Sequence, residues 1–384
     1  MKYKEYLKIT ICIFSMALVF LCEPYPAFAE DYSKDDYNSV LSGFDTSFVD
    51  TLDSDSKDVL ESLGLAEFDY EKLIDFSVRD IVELTVRTVK DRFKTPLNSA
   101  LLIFIIVCFS SLFQGMKETV QDGDMPSLYS TVSALVIALL LISKLKNTIA
   151  LSVSAISVCA DFIFAFVPSF CVIAAASGCT VSAMATNGLL LSLGQAINYI
   201  SKAVFIPISN CFLALSICSG IRSELNLGAF LQTMKRYITT AISVCATGFV
   251  SVLSIKTAVA ARADAIGLRS VRFAINSVVP VIGGAISEGL LSIQAYSSMI
   301  KSGVGIVGII AVAVIFMPSI VSVSLWRLFL SLCVIVSDVF NDNSVKSILQ
   351  AFIDSLLIIN VILILTMVTT IISFGILIAV RGSA

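Results

Sequence analysis

An all-α, polytopic helical membrane protein with a cleavable signal peptide and a small extracytoplasmic N-terminal segment follows from three features of this sequence. First, its 384 residues are 57% hydrophobic and only 14% charged, with mean hydropathy +0.92. Soluble domains carry roughly 25% charged residues, and a soluble core of this length cannot hide so much apolar surface. Second, several apolar runs approach the about 20 residues that a helix needs to cross hydrocarbon. Third, the chain opens on Lys2, Lys4 and Lys8, an apolar run over 9–21, and Ala27-Phe28-Ala29. A charged head, a short apolar stretch and an A-x-A site form a secretory signal, so residues 1–29 are expected to be removed after Ala29. A lipoprotein alternative would use Cys22, but Leu21 is large for the position before a lipidated cysteine.

The segment 30–95 holds 17 acidic and 8 basic residues, a net of −9. Its first half, 30–60, is rich in Asp and Ser with little periodicity. From 68 to 93, Leu73, Phe76, Val78, Ile81, Leu84 and Val89 recur near helical spacing among charged residues. An amphipathic helix leading into the membrane is expected there. Residues 96–384 hold 10 acidic and 15 basic residues, a net of +5, and form the membrane body. Such a split fits an acidic extracytoplasmic piece joined to a mildly basic membrane domain.

Pro96 suits a first helical turn. The apolar runs that follow are 97–116, 127–143, 148–167, 183–201, 203–221, 237–255, 303–323 and 352–380. Segment 324–340 is short, carries Arg327 and reads as partly interfacial. The expected number of spans is eight to ten. Strict alternation inward from residue 95 leaves 256–272 outside, yet that loop holds Lys256, Arg262, Arg269 and Arg272 against Asp264 alone. The excess of positive charge normally marks the cytoplasmic side. Either one segment is re-entrant, or 258–272 is an amphipathic helix lying on the surface, where its cations suit anionic lipid headgroups.

The stretch 270–313 is the most informative. Pro280 and Gly283-Gly284 interrupt an almost uncharged apolar segment, and the carboxylate Glu288 follows. In hydrocarbon every backbone N–H and C=O needs an internal partner, so a break survives only inside protein or beside water. Interrupted spans of this kind also build transport sites. The stretch 273–300 either crosses once with a kink or enters and leaves on one side. Asp161, in SVCADFIFAFVP, lies well inside an apolar run. A carboxylate at a helix centre costs roughly 2.5–3.5 kcal/mol on insertion scales, so it should face the bundle interior or be protonated. Asp161, Glu288, Pro280, Gly283 and Gly284 are the transport-path candidates. For the acids the competing reading is interhelical hydrogen bonding or a helix-end position. Arg327 is a candidate counter-ion for Asp354 or another of these acids, and Asn187, Gln195 and Asn198 form a polar stripe.

Gly303, Gly305 and Gly308 match G-x-G-x-x-G. A dinucleotide fingerprint needs a strand before it and a helix after it. Here small residues head an apolar helix, which favours close helix packing. No histidine occurs anywhere, which removes the commonest metal ligand and the usual proton shuttle. The ten cysteines include no CxxC pair and read as small apolar packing residues. No phosphate loop is present. No catalytic, cofactor-binding or metal constellation emerges, the expectation is of a non-enzyme, and nothing argues for nucleic-acid contact.

The layout of the chain, together with VRFAINSVVPVIGGAISEGL (271–290) and MIKSGVGIVG (299–308), resembles the stage III sporulation protein AE family. The residues that carry the resemblance are Phe273-Ala274-Ile275, Pro280, Gly283-Gly284, Ser287, Lys301, Gly305 and Gly308. Glu288 stands where Asp is the common family residue. The resemblance implies a multi-pass protein of the mother-cell membrane around the forespore. It would be one component of a channel or secretion-like complex needed for endospore development, an export-gate or permease-like core. Implied partners are the other stage III sporulation A proteins, including a cytoplasmic ATPase, and stage II sporulation protein Q. Two other readings stand beside it: a stand-alone ion-coupled secondary transporter, and a non-conducting assembly scaffold.

Overall fold

The computed structural model describes residues 78–115, 125–176, 178–200, 228–278, 283–340 and 342–379, with isolated positions between 203 and 218. The expected signal peptide 1–29, the acidic stretch 30–77, the run 203–221 for the most part, and Pro280 lie outside the described residues. Seven helices are described: α1 (Val78–Arg92), α2 (Lys94–Gly115), α3 (Met125–Ala176), α4 (Thr180–Ile200), α5 (Gly228–Val278), α6 (Gly283–Val339) and α7 (Asn343–Ala379). Four contain stretches long and apolar enough to cross a membrane: Val132–Ala175, Gln232–Ile275, Val304–Val339 and Ser344–Ile376. The pair α1 and α2, bent by about 40° at their junction, makes a fifth if taken as one span.

Among the described residues, that is fewer crossings than the apolar runs suggest, and the reason is local. The runs 127–143 and 148–167 belong to one helix, α3, of 52 residues, about 78 Å long at 1.5 Å per residue. Lys144 and Lys146 look like a boundary in sequence, but no Gly or Pro accompanies them. Leu141, Leu145, Thr148 and Ser152 stay buried at helical spacing while both lysines face outward. Long basic side chains can do this without ending a helix. Similarly, 324–340 is no separate piece: it continues α6, with Val323, Trp326, Leu330 and Cys333 buried. The proposed surface helix 258–272 is the C-terminal part of α5. Finally, α4 forms over the expected run but is not among the crossing-competent helices, since Ser182, Thr186, Asn187 and Gln195 dilute its apolar content.

Helices α3, α6 and α7 pack against one another and form the centre; α1 and α2 lie against α6, α4 lies against α3 and α7, and α5 lies against α7, α4 and α6. The amphipathic α1 meets α6 through Thr85, whose hydroxyl lies 3.5 Å from the Met317 sulfur. At the α1–α2 junction Phe93 packs edge-on against Phe329, with ring centroids 5.1 Å apart. The turn from α3 to α4 is tight. Gly178 adopts φ 84°, the left-handed conformation that glycine takes without steric cost. Its N–H donates to Ala175, and the Cys179 N–H to Ala174, closing a Schellman motif. Two prolines sit inside long helices, Pro168 in α3 and Pro318 in α6. Beside the second, Ser319 donates to the Leu151 carbonyl at 3.1 Å and ties α6 to α3.

Candidate functional site

The densest packing lies where α6 meets α3 and α7. Phe162, Phe166 and Phe170 recur every four residues on α3 and so share one face. Their rings stack in a column, 5.0 Å between the first two centroids and 5.8 Å between the next. Phe374 of α7 meets Phe166 edge-on at 5.4 Å. Against this column α6 presents Gly305 and Gly308. A Cβ on Gly308 would lie 2.7 Å from Phe166 Cε1. A Cβ on Gly305 would collide with Ile378 of α7 and lie 3.2 Å from Phe170 Cζ. The glycine motif is therefore the floor of a helix crossing, with no strand ahead of it. Of Gly303 only its place in α6 is described.

The transport-path candidates do not converge in the described residues. Asp161 is exposed on α3, on the side away from its buried neighbours Phe162 and Ala160. Of the two expectations for this acid, an inward face or a protonated carboxyl, the described packing of the chain does not give the inward face. The spacing of Phe162, Phe166 and Phe170 is the signal in sequence that could have found the buried face of α3, and Asp161 falls off it. Gly283 and Gly284 are the first two residues of α6, after the end of α5 at Val278. Glu288 lies in the first turns of α6, and its side chain is outside the described set.

Other charged groups, little marked in sequence, carry the inter-helix contacts. Asp264 of α5 is 4% exposed. Its carboxylate accepts the Val181 N–H at 2.7 Å and the Ser182 N–H at 2.9 Å. It thus caps α4 from a different helix, placing an anion at the partly positive N-terminus where the first N–H groups lack intrahelical partners. Nearby along the same helices, Ser182 Oγ, Thr186 Oγ1 and Thr257 Oγ1 are buried without a hydrogen-bond partner. Asp354 of α7 pairs with Lys235 of α5 at 2.5 Å and accepts from Gln350 at 3.2 Å. The cation that meets Asp354 is thus Lys235; Arg327, a candidate counter-ion for one of the acids, lies on α6. At the α6–α7 turn, buried Asp342 accepts from the Val345 N–H at 3.3 Å, capping α7, and from Ser110 of α2 at 2.7 Å. Asp-Asn-Ser after an apolar run is a legible start signal for α7; its contact with α2 is not.

Lys301, one of the residues behind the family resemblance, is 1% exposed on α6. Asn360 of α7 donates to Ser324 at 3.4 Å and leaves its own carbonyl oxygen unpartnered. Among the described residues no three His, Cys, Asp or Glu side chains gather as a metal site. Cys159, Cys171, Cys179 and Cys333 are buried as unbridged thiols.

A family model described as Stage III sporulation protein AE matches residues 67–381. The chain belongs to the stage III sporulation protein AE family. The match takes in all seven helices, so the packing described here is that of a family member from α1 to α7. A relative, stage III sporulation protein AE of Bacillus subtilis (strain 168), is 24% identical over 224 residues. That alignment covers 58% of this chain and 56% of the relative, so the chain spans little more than half the length of the protein it matches. No solved structure matches.

Proposed function

We propose that this protein is a membrane component of the sporulation complex joining mother cell and forespore, and that it acts as the export-gate or permease-like core. Family membership over 67–381 is the observation that carries the sporulation role. In this reading the chain sits in the mother-cell membrane around the forespore. It works with the other stage III sporulation A proteins, including a cytoplasmic ATPase, and with stage II sporulation protein Q.

Two features support a shared conduit over a self-sufficient carrier. Where α3, α6 and α7 meet around Gly305 and Gly308, the phenylalanine column and Ile378 fill the space among the described residues. Asp161, the first candidate for ion coupling, faces outward. A passage then belongs at the interruption between Val278 and Gly283, or between this chain and its partners. The scaffold reading draws on the same glycine crossing, because packing alone explains Gly305 and Gly308.

Deleting the gene in the spore-forming host should stop forespore gene expression after engulfment. Normal late forespore development in that strain would overturn the sporulation role. Complementation then separates gate from scaffold. If the interruption lines a passage, Gly283→Leu with Gly284→Leu should abolish development while the variant still co-purifies with its partners. Loss of co-purification by that variant would favour the scaffold.

A further inference from the structure

Asp161 is the only charged residue in 147–176, and any stretch of about 20 residues that crosses hydrocarbon within that run includes it. The neighbouring helices agree on the level. Gly308 faces Phe166, Ser319 reaches Leu151, and the Thr370 hydroxyl lies 4.0 Å from the Cys159 sulfur. These contacts set the uncharged runs 302–326 of α6 and 355–380 of α7 beside 147–176 of α3. Counting along the helices from them puts Arg327 and Asp354 level with Lys144, at one end of the block. Asp161 therefore lies within the hydrocarbon layer, and it is exposed.

The open face around it has the form of a seam. Asn147, Ala150, Ser154, Asp161 and Phe164 are exposed, and Ser157 is half-buried. Steps of three and four residues keep these six on one strip of α3, about 100° wide at 3.6 residues per turn. That alternation is the register in which one helix packs along another. Four of the six are small or short, which lets a second backbone approach closely. Nearer the start of α3 the exposed residues are of another kind: Val132, Leu135, Val136, Leu139 and Ile142 are large and aliphatic, as lipid tails favour. A carboxyl turned toward lipid, by contrast, leaves its oxygens in a medium that offers no partner.

We infer that this seam, 147–164 on the outward side of α3, docks a membrane-spanning helix of another protein that sets a Lys or Arg opposite Asp161. Carboxylates inside a membrane pair with cations, and charge complementarity selects the occupant. Lys144 and Lys146 on α3 lie about four turns away, and Lys235 is taken by Asp354. A second copy of this chain is the wrong occupant. Copies related by an axis along the membrane normal present Asp161 to Asp161 at the same depth, and like charges there repel. The inference requires the chain to be in a membrane and does not rest on the conduit reading.

The test places the photo-reactive residue p-benzoylphenylalanine at position 154 of the full chain in its host's membranes, and mass spectrometry reads the peptide that irradiation attaches. A peptide from another protein, with Lys or Arg inside an apolar run, is expected. Asp161→Leu in the same chain should cut the cross-link yield on the order of tenfold or more, because it leaves the partner's cation unpaired. Asp161→Glu should keep most of the yield, since the charge remains. The purified Asp161→Leu chain should melt as the wild type does, because the side chain is exposed. Labelling of lipid alone, a peptide without a cation, a peptide from this chain or a second copy of it, or a yield that Asp161→Leu leaves unchanged would each overturn the proposal. So would a lowered melting temperature, which would assign Asp161 to the chain's own packing. The gene deletion bears on the sporulation role alone, so the two readings fail separately.

Discussion

The α3–α6–α7 centre and the peripheral α5 are both long and apolar, yet they are held by different means. At the centre, backbones approach closely because Gly305 and Gly308 carry no Cβ, and Phe162, Phe166, Phe170 and Phe374 fill the space gained. Dispersion between closely packed groups does the holding, since lipid is as apolar as a side chain and supplies no hydrophobic drive between helices. Helix α5 has one thin apolar stripe and two polar attachments, Lys235 to Asp354 near one end and Asp264 to the α4 N-terminus near the other. The contrast teaches that mean hydropathy says whether a helix enters a membrane and little about what it grips there.

The comparison can be broken at four points, and the largest effect belongs to the centre. Gly305→Leu should cost about 3 kcal/mol or unfold the bundle, because its side chain collides with Ile378 and Phe170. Thermal unfolding in detergent reads this, and adding Ile378→Ala should recover part of the loss. An unaltered melting temperature in the single variant would disprove the close crossing.

Next comes the remote cap. Asp264→Ala leaves two N–H groups of α4, one buried and one part-buried, without their acceptor, a loss of about 2 kcal/mol. Hydrogen exchange at the Val181 and Ser182 amides should accelerate more than elsewhere in α4. Uniform exchange across that helix would mean the cap holds nothing. A smaller effect is expected at the other attachment. The Lys235 and Asp354 side chains are 27% and 20% exposed, so a double-mutant cycle with Lys235→Met and Asp354→Leu should give a coupling of about 1 kcal/mol. Zero coupling would reduce the pair to a chance approach.

Smallest of all, Asp161→Asn should leave the melting temperature within the effect of an ordinary surface change, about 0.5 kcal/mol, because the side chain is exposed. A large loss of stability would place Asp161 inside the bundle after all and restore it as a coupling residue.

How legible the site was depended on the kind of signal. The glycines at 305 and 308 stood out because small residues at a spacing of three in an apolar run have few other uses. Asp264 was visible only as the lone acid among cations, and its target, the first turn of α4, is 82 to 83 residues away in sequence. Nothing local joins them. Lys144 and Lys146 misled in the opposite direction: their charge reads as an end, but the buried register of Leu141, Leu145 and Thr148 runs straight through.

Composition and period by themselves gave a chain whose described residues are helical, apolar enough for a membrane, and divided between a helix ending at Val278 and one starting at Gly283. Those properties belong to single segments and depend on side-chain transfer energy and backbone chemistry alone. Tertiary structure decided which runs fuse into one helix, which way Asp161 faces, and which cation meets Asp354. These are outcomes of competition among faces for partners. A segment cannot register a partner a hundred residues away, so no reading of it in isolation resolves that competition.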